Sequence, residues 1–268
     1  MSGFSAEWLK LREPYDLRAR NRTVLDAVFD LIADQPSVVI VDLACGTGSN
    51  VRALSPRIGA RQNWRLVDND LSLLARVPPP SSPQVTIKTV PVDLNHDLEA
   101  ALDGPLDLVT TSALLDLVSG EWLQRFAVEA AARRLPVYAA LTYDGRVEIT
   151  PADAADDAVI AAVNAHQRTD KGFGPALGPA AAQAAVERFE RVGYAIVAGA
   201  SDWMFGPQDR DIQLETLSGW AAAAREVGAM PLADVIGWLT RRRELVAAGL
   251  SSIRVGHRDV FAGPTGTR

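Results

Sequence analysis

Three aspartates lie at or just after the ends of short apolar runs, where the polar groups of a binding site could come together. These are Asp42, Asp68 and Asp93, and the run that contains Asp42, Ser37–Leu43 (SVVIVDL), is rich in β-branched residues. Such runs are typical of strands buried on both faces of a parallel sheet. In open α/β sheets, ligands bind outside the carboxyl ends of the strands. The three carboxylates therefore predict a ligand site at that edge of a sheet.

Two glycines, Gly46 and Gly48, follow this run in the tight turn Ala44–Gly48 (ACGTG). Glycine tolerates positive φ and lets a ligand approach the backbone closely. A dinucleotide fingerprint, G-x-G-x-x-G, would need a third glycine at position 51, where this sequence has Val51. No phosphate-binding lysine follows the turn, which excludes a P-loop. An NAD-dependent oxidoreductase is kept as an alternative function.

The segment VVIVDLACGTG, from Val38 to Gly48, resembles the first motif of the class I (Rossmann-like) S-adenosylmethionine-dependent methyltransferases. That motif is a hydrophobic strand that ends near an acidic residue and continues into a small-x-Gly-x-Gly turn. The resemblance covers residues 37–143 and implies S-adenosyl-L-methionine as the cofactor. It also implies a set of cofactor-binding residues: Asp42, Ala44, Cys45, Gly46, Gly48, Asp68, Asn69, Asp93, Leu94 and Ser112.

The resemblance assigns roles to several of these residues. Asp68 can accept hydrogen bonds from both ribose hydroxyls, as acidic residues do in other nucleotide sites. In the resembled family, a carboxylate at the position of Asp93 accepts from the adenine amino group, and the N–H of Leu94 donates to the ring. Ser112 would lie near the methionine part of the cofactor, and Cys45 would pack beneath it. An acid such as Asp93 can instead cap the helix that follows it.

The carboxylate of the methionine part needs a positively charged partner when it is buried. The predicted N-terminal helical segment, residues 5–34, carries Arg12, Arg18 and Arg20 near one another. We predict Arg20 as the partner. The alternative is that these arginines form solvated pairs with nearby acids on the surface.

The segment after the fourth predicted strand gives the main indication of the methyl acceptor. Enzymes that methylate DNA bases or protein glutamine tend to carry Asn/Asp-Pro-Pro-Tyr there, and this sequence has Ser112 to Asp116 (SALLD) instead. A small-molecule acceptor is therefore predicted. The candidate catalytic residues are His166, whose unperturbed pKa lies near neutrality, and Asp116, each as a base. Asp116 could instead be a helix N-terminal acid and His166 a solvated loop residue, while His257 is interpreted as structural.

The order of predicted elements favours an α/β fold with a doubly wound, mostly parallel, seven-stranded sheet. We predict one domain over residues 1–268, with helical insertions after strands five and six. The first is a glycine-rich, lid-like insertion at about 150–180, and the second is a helical insertion at about 207–250. The predicted strands are Ser37–Leu43, Trp64–Val67, Val85–Val90, Leu106–Thr111, Pro136–Tyr143, Tyr194–Phe205 and Ser252–Ala262.

Composition narrows the class of protein. The formal net charge is −6, which disfavours binding to the phosphate backbone of nucleic acids. The single cysteine excludes a cysteine-based zinc cluster, and no metal is predicted. No apolar run approaches the roughly 20 residues that span a bilayer, and the first residues carry charges where a signal peptide needs apolar ones. We therefore expect a cytoplasmic protein without a membrane partner. The late helices (213–248) could cover the active site or form a homodimer surface.

These patterns lead to one principal hypothesis and two alternatives. The principal hypothesis is an enzyme that transfers a methyl group from S-adenosylmethionine to oxygen or nitrogen of a small metabolite. The first alternative is a methyltransferase-like protein that binds the cofactor without catalysis. The second is the NAD-dependent oxidoreductase.

Overall fold

Strands and helices alternate along the chain as the sequence predicts. The structure is a computed structural model that describes residues 5–266. In this range the strands are β1 (Ser37–Leu43), β2 (Arg61–Asp68), β3 (Val85–Pro91), β4 (Leu108–Ser112), β5 (Val137–Thr150), β6 (Tyr194–Ala200), β7 (Trp203–Phe205) and β8 (Ser252–Pro264). The α-helices are α1 (Ala6–Ala19), α2 (Arg22–Ile32), α3 (Ser49–Leu54), α4 (Leu71–Leu74), α5 (Leu98–Ala101), α6 (Gly120–Ala132), α7 (Asp156–His166), α8 (Ala181–Arg191), α9 (Arg210–Val227) and α10 (Leu232–Ala247).

The sheet has the strand order β3-β2-β1-β4-β5-β8-β6. Strands β1 to β5 are parallel to one another, whereas β8 runs antiparallel to β5 and β6. The direction of winding reverses between β1 and β4, which lie side by side. In a doubly wound sheet this reversal opens a crevice beyond the carboxyl ends of the two strands. The predicted fold class, a mostly parallel doubly wound sheet, is confirmed.

The described residues form eight strands rather than the predicted seven, because the predicted strand Tyr194–Phe205 is interrupted. Strand β6 ends at Ala200 and β7 begins at Trp203, and both pair with β8. Between them, the Asp202 carboxylate accepts from the backbone N–H of His257 at 3.1 Å and binds Arg254. A side chain thus takes the place of a ladder hydrogen bond, and pairing resumes at β7 in the same register on β8.

Two apolar layers cover the faces of the sheet. Alternate residues of β1 point to opposite sides, so Val41 and Leu43 belong to one layer and Val38 and Ile40 to the other. The first layer packs against α5, α6 and α8, and the second against α2, α3 and α4. Because both faces are covered, β1 is apolar from Val38 to Leu43 except for Asp42, which is only 1% exposed.

A third apolar cluster lies beyond the two layers that cover the faces of the sheet. It is formed by α1, α7, α9, α10, β7 and the adjoining halves of β5 and β8, and we call these elements the cap. In its interior the fully buried Arg242 pairs with Asp156, which also accepts from Trp238 Nε1 at 2.8 Å. Helices α7, α9 and α10 fall within the two predicted insertions. Among residues 5–266, no helix is both long and apolar enough to cross a membrane.

Candidate functional site

A large cavity of about 1010 Å³ lies between the carboxyl ends of the central strands and the cap. Its sheet-side wall includes Gly46, Asp68 and Ser112, and its cap-side wall includes Trp203 and Trp220. A second cavity, of about 50 Å³, lies under the turn that follows β1. The two cavities share several wall residues: Leu9, Arg12, Ala44, Gly46 and Ser112. The predicted edge of the sheet is therefore where the molecule has room for a ligand.

The turn after β1 needs its glycines for both conformation and space. Gly46 and Gly48 have φ values of 53° and 81°, which residues with a side chain rarely adopt. A Cβ atom on Gly46 would stand 3.0 Å from Leu9 Cδ1, and one on Gly48 would stand 3.3 Å from Leu66 Cδ1. The turn is thus packed against α1 on one side and β2 on the other, with its backbone close to the cavity.

Asp68, at the end of β2, holds this turn and also lines the large cavity. One carboxylate oxygen accepts from the N–H of Gly46 at 2.8 Å, and the other accepts from the N–H of Asp70 at 2.9 Å. Each carboxylate oxygen has two lone pairs, so both can accept a further hydrogen bond from a ligand hydroxyl. Asn69, the next residue, lies in the same wall.

Asp42 lies beneath the turn and lines only the small cavity. Its carboxylate accepts from Asn50 Nδ2 at 2.7 Å and from Thr110 Oγ1 at 2.8 Å. Burial raises the pKa of Asp42 to about 6, although both hydrogen bonds oppose this change. Asp42 therefore supports the turn from below rather than facing the large cavity.

Cys45 lines the small cavity and is 6% exposed. Burial raises the pKa of its thiol, and the neighbouring Asp42 and Asp68 carboxylates add to that effect. A thiol in this environment stays protonated and is a poor nucleophile. Its place beneath the turn suits the packing role predicted for it.

Arg20 lines neither cavity, contrary to the expectation that it meets the ligand. Its guanidinium donates to Asn50 Oδ1 at 2.6 Å and to the Tyr138 hydroxyl at 3.2 Å. The side chain therefore joins α1 to the network that surrounds Asp42. The sequence could not separate Arg20 from Arg12, because both are carried by the same helical segment.

Arg12 is the arginine that lines both cavities. Its Nε donates to Asp16 at 2.9 Å, and Asp16 accepts in turn from Trp203 Nε1 at 2.9 Å. The two terminal nitrogens of Arg12 have no hydrogen-bond partner in the part of the chain that the structure describes. The i, i+4 spacing of Trp8, Arg12 and Asp16 along one face of α1 is the signal that could have identified Arg12.

Asp93 is not part of either cavity wall, whereas Val92 and Leu94 line the large cavity. One Asp93 oxygen accepts from the N–H of Asn95 at 2.9 Å, and the other lies 2.9 Å from His96 Nδ1. The hydrogen bond with His96 is the largest cause of the lowered pKa of Asp93. This geometry is that of a turn-capping acid, and the predicted contact with adenine stays a prediction.

Asp116 lies in the wall of the large cavity and is 4% exposed. Its Oδ1 atom has no hydrogen-bond partner among the described residues. Burial raises the pKa of Asp116 to about 6. The alternative role as a helix N-terminal acid does not apply, because α6 begins at Gly120 and is capped by Ser119. A buried carboxyl with one free oxygen is able to accept a proton or a hydrogen bond from a ligand.

His166, the last residue of α7, also lines the large cavity, but both ring nitrogens have partners. Nε2 lies 3.1 Å from Glu226 and Nδ1 lies 3.4 Å from Lys171 Nζ. The lysine ammonium can only donate, so Nδ1 accepts and Nε2 carries the proton toward the carboxylate. The Glu226 side chain is 60% exposed and that of His166 is 27% exposed, so this ion pair is open to solvent.

His257, a structural residue by its place in the last predicted strand, lines the large cavity. Its Nδ1 atom lies 3.0 Å from the carbonyl oxygen of Val255, so Nδ1 carries the proton and Nε2 keeps its lone pair. The ring centroid stands 4.7 Å from that of Trp203 and 6.0 Å from that of Tyr143. Burial lowers the pKa of His257 to about 3, helped by the positive charge of Arg12. No feature of the sequence distinguishes it from a packed core histidine.

Solved structures with low sequence identity share this architecture. The cyclopropane synthase MmaA2 from Mycobacterium tuberculosis superposes with a TM-score of 0.52 and 12% identity, over 97% of this chain and 94% of that one. A proposed type II methyltransferase from Anaeromyxobacter dehalogenans gives a TM-score of 0.51 and 18% identity, over 91% of this chain and 96% of that one. The chain has the Rossmann-like methyltransferase fold. No protein-family model matches the chain, and no curated protein matches its sequence.

Proposed function

We propose that this protein is an S-adenosylmethionine-dependent methyltransferase that acts on a small molecule. The observation that carries the proposal is that the glycine turn after β1 and Asp68 share one wall of the large cavity, at the point where the strand order reverses. In doubly wound sheets this is where nucleosides bind. The fold shared with a proposed methyltransferase supports the same proposal.

The cofactor fits the residues of this wall. Its ribose would lie at Asp68 and Asn69, and its adenine would lie against the apolar side chains of Leu73 and Leu94. Its carboxylate would reach the free terminal nitrogens of Arg12, where the large cavity adjoins the small one. When bound, S-adenosylmethionine supplies a methyl group on a positively charged sulfur, so the protein has to orient its two ligands and exclude water.

The remaining volume of the large cavity is available for the acceptor. Ligand pockets commonly have volumes of about 300–1,000 Å³. This cavity, at about 1010 Å³, is at the upper limit of that range and has room for more than a nucleoside. The cap, including Trp203 and Trp220, lines the end of the cavity where the methyl acceptor would bind, which we call the acceptor end. A concave site of this size supports a small-molecule acceptor, in agreement with the absence of the Asn/Asp-Pro-Pro-Tyr segment after β4.

Two measurements, made one after the other, test the proposal. Titration calorimetry with S-adenosylhomocysteine is expected to show one bound molecule per chain. A screen with radiolabelled S-adenosylmethionine over pools of small metabolites is then expected to yield a labelled product. Binding without any transfer would favour a non-catalytic cofactor-binding protein. A rise in Tm with NAD, and none with S-adenosylhomocysteine, would favour the oxidoreductase.

The Arg12→Met variant is expected to bind S-adenosylhomocysteine roughly three- to tenfold more weakly than the wild type, because a charge-assisted hydrogen bond is lost. Methionine retains much of the aliphatic length of arginine, so the packing against Trp203 is disturbed as little as possible. The control ligand is 5′-methylthioadenosine, which lacks the amino acid carboxylate. The variant and the wild type should bind it with the same affinity. Calorimetry on both ligands gives the comparison, and an equal loss for the two would remove Arg12 from the carboxylate site.

A further inference from the structure

Two residues in the wall of the large cavity carry hydrogen-bond acceptor atoms that have no donor among residues 5–266. One is Oδ1 of Asp116, which is buried and has no partner among the described residues. The other is Nε2 of His257, whose lone pair is fixed because Nδ1 donates to the carbonyl of Val255. Both residues line the cavity. Buried polar groups without partners carry a free-energy cost, which a ligand with suitable donors would remove.

The two residues share neighbours as well as the wall of the large cavity. Tyr143 lies next to both, because its backbone N–H approaches the Asp116 carboxyl and its ring is 6.0 Å from that of His257. The charge of Arg12 acts on both residues as well. That charge is already balanced by Asp16 at 2.9 Å, so it does not neutralise Asp116.

The electrostatic character of the cavity wall also favours a cation. Among the described residues, only Arg12 and Lys171 bring permanent positive charges to this wall. Six carboxylates line the same wall: Asp68, Asp70, Asp116, Asp170, Glu215 and Glu226. Three of the chain's six tryptophans, Trp8, Trp203 and Trp220, are wall residues too. Tryptophan rings attract ammonium groups through the negative faces of their π systems.

We infer that the methyl acceptor is a basic amine with an apolar or aromatic body, and that its nitrogen donates hydrogen bonds to both Asp116 and His257. This inference rests on the proposed methyltransferase function. An ammonium group offers at least two donors and a positive charge, which matches a carboxylate beside a neutral imidazole. An alcohol offers a single donor and no charge, and a carboxylic acid would be repelled by Asp116.

The transfer step balances with groups already named. The acceptor ammonium gives one proton to the Asp116 carboxylate and becomes a neutral amine with a free lone pair. That lone pair forms the N–C bond to the methyl carbon, while the electron pair of the C–S bond returns to sulfur. The products are a methylated ammonium, a neutral thioether and protonated Asp116, which then releases its proton to solvent.

The test compares amines with their alcohol counterparts as ligands, so that it does not depend on turnover. Tryptamine and tryptophol form one pair, phenethylamine and 2-phenylethanol a second, and hexylamine and hexanol a third. Each is titrated by calorimetry with and without saturating S-adenosylhomocysteine. We expect at least one amine to bind about tenfold or more tightly than its alcohol, a difference of about 1.4 kcal/mol.

Variants connect this preference to the two residues. Asp116→Asn is expected to remove the preference for the amine. His257→Leu should weaken binding of the amine, and His257→Gln, which keeps an acceptor near the position of Nε2, should restore part of it. The control is Asp97→Asn, which removes one exposed carboxylate outside the cavity.

The outcomes separate the two proposals. A panel in which no amine binds better than its alcohol, or in which Asp116→Asn leaves the preference intact, would overturn the assignment of an amine acceptor. Failure of S-adenosylhomocysteine to bind in the same experiments would contradict the proposed function itself. The first result can occur while the cofactor product still binds, so the two failures are distinguishable.

Discussion

Replacement of Asp68 by alanine is expected to weaken the binding of S-adenosylhomocysteine at least tenfold, which is about 1.4 kcal/mol. Two losses contribute to this effect. The variant loses the carboxylate that would accept from the ribose hydroxyls, and it also leaves the N–H groups of Gly46 and Asp70 without their present partners. The turn after β1 would then be held less firmly in the conformation that faces the cavity. Titration calorimetry measures the change directly.

The control for this prediction is Asp97→Ala, which removes the same charge from an exposed position at the start of α5. It should leave the affinity unchanged. Thermal unfolding of both variants without ligand shows whether the sheet has stayed intact. An Asp68→Ala protein that is folded and binds with wild-type affinity would remove Asp68 from the ribose site.

The Asp116→Asn variant is expected to be more stable than the wild type at pH 8 by roughly 2–3 kcal/mol. Burial raises the pKa of Asp116 from 3.8 to about 6 in the folded state, so ionisation of this carboxyl opposes folding. The stability linked to the neutral form is present below the unfolded pKa and is lost as the pH rises through about 6. Asparagine is uncharged at every pH and avoids this loss. Chemical denaturation at pH 8 and at pH 4 would measure the difference, which should nearly vanish at the lower pH.

Asp42→Asn provides a matched comparison, because burial raises the pKa of Asp42 to about 6 as well. Here the carboxylate accepts from Asn50 Nδ2 and Thr110 Oγ1, and Asn50 cannot reverse its amide without losing the hydrogen bond from Arg20. Both hydrogen bonds are accepted by the same oxygen, Oδ1, which an amide at position 42 can keep, so this variant should also be more stable than the wild type at pH 8. No gain in stability for either substitution at pH 8, or a gain for Asp116→Asn that persists at pH 4, would contradict the explanation by desolvation.

The sheet and the turn after β1 could be predicted from the sequence because their signals are local. An apolar β-branched run followed by two closely spaced glycines has few other structural solutions, and both glycines have positive φ in the structure. The interruption between β6 and β7 was missed because it depends on Asp202 binding to residues of β8, which are distant in sequence. Hydrophobic periodicity contains no information about such a partner.

The site was predictable to a smaller extent, because the direction of a side chain depends on tertiary contacts. Asp68 lines the large cavity as expected. Asp93 lies outside it, where its carboxylate is hydrogen-bonded to the N–H of Asn95 and to the ring of His96. Arg12 and Arg20 are carried by the same segment, but only the structure shows that one faces the cavities and the other faces Tyr138. His257 depends on the packing of β8 against the cap, which no spacing in the sequence indicates.

Asp16 has a position that affects how substitutions around the site must be interpreted. It accepts from Arg12, the proposed partner of the cofactor carboxylate, and from Trp203, which stands beside His257 at the acceptor end. Residues that depend on one common partner do not respond independently to substitution. An altered affinity for either ligand in an Arg12 or Trp203 variant therefore reports on both halves of the cavity at once, and single-residue energies in this region should not be summed.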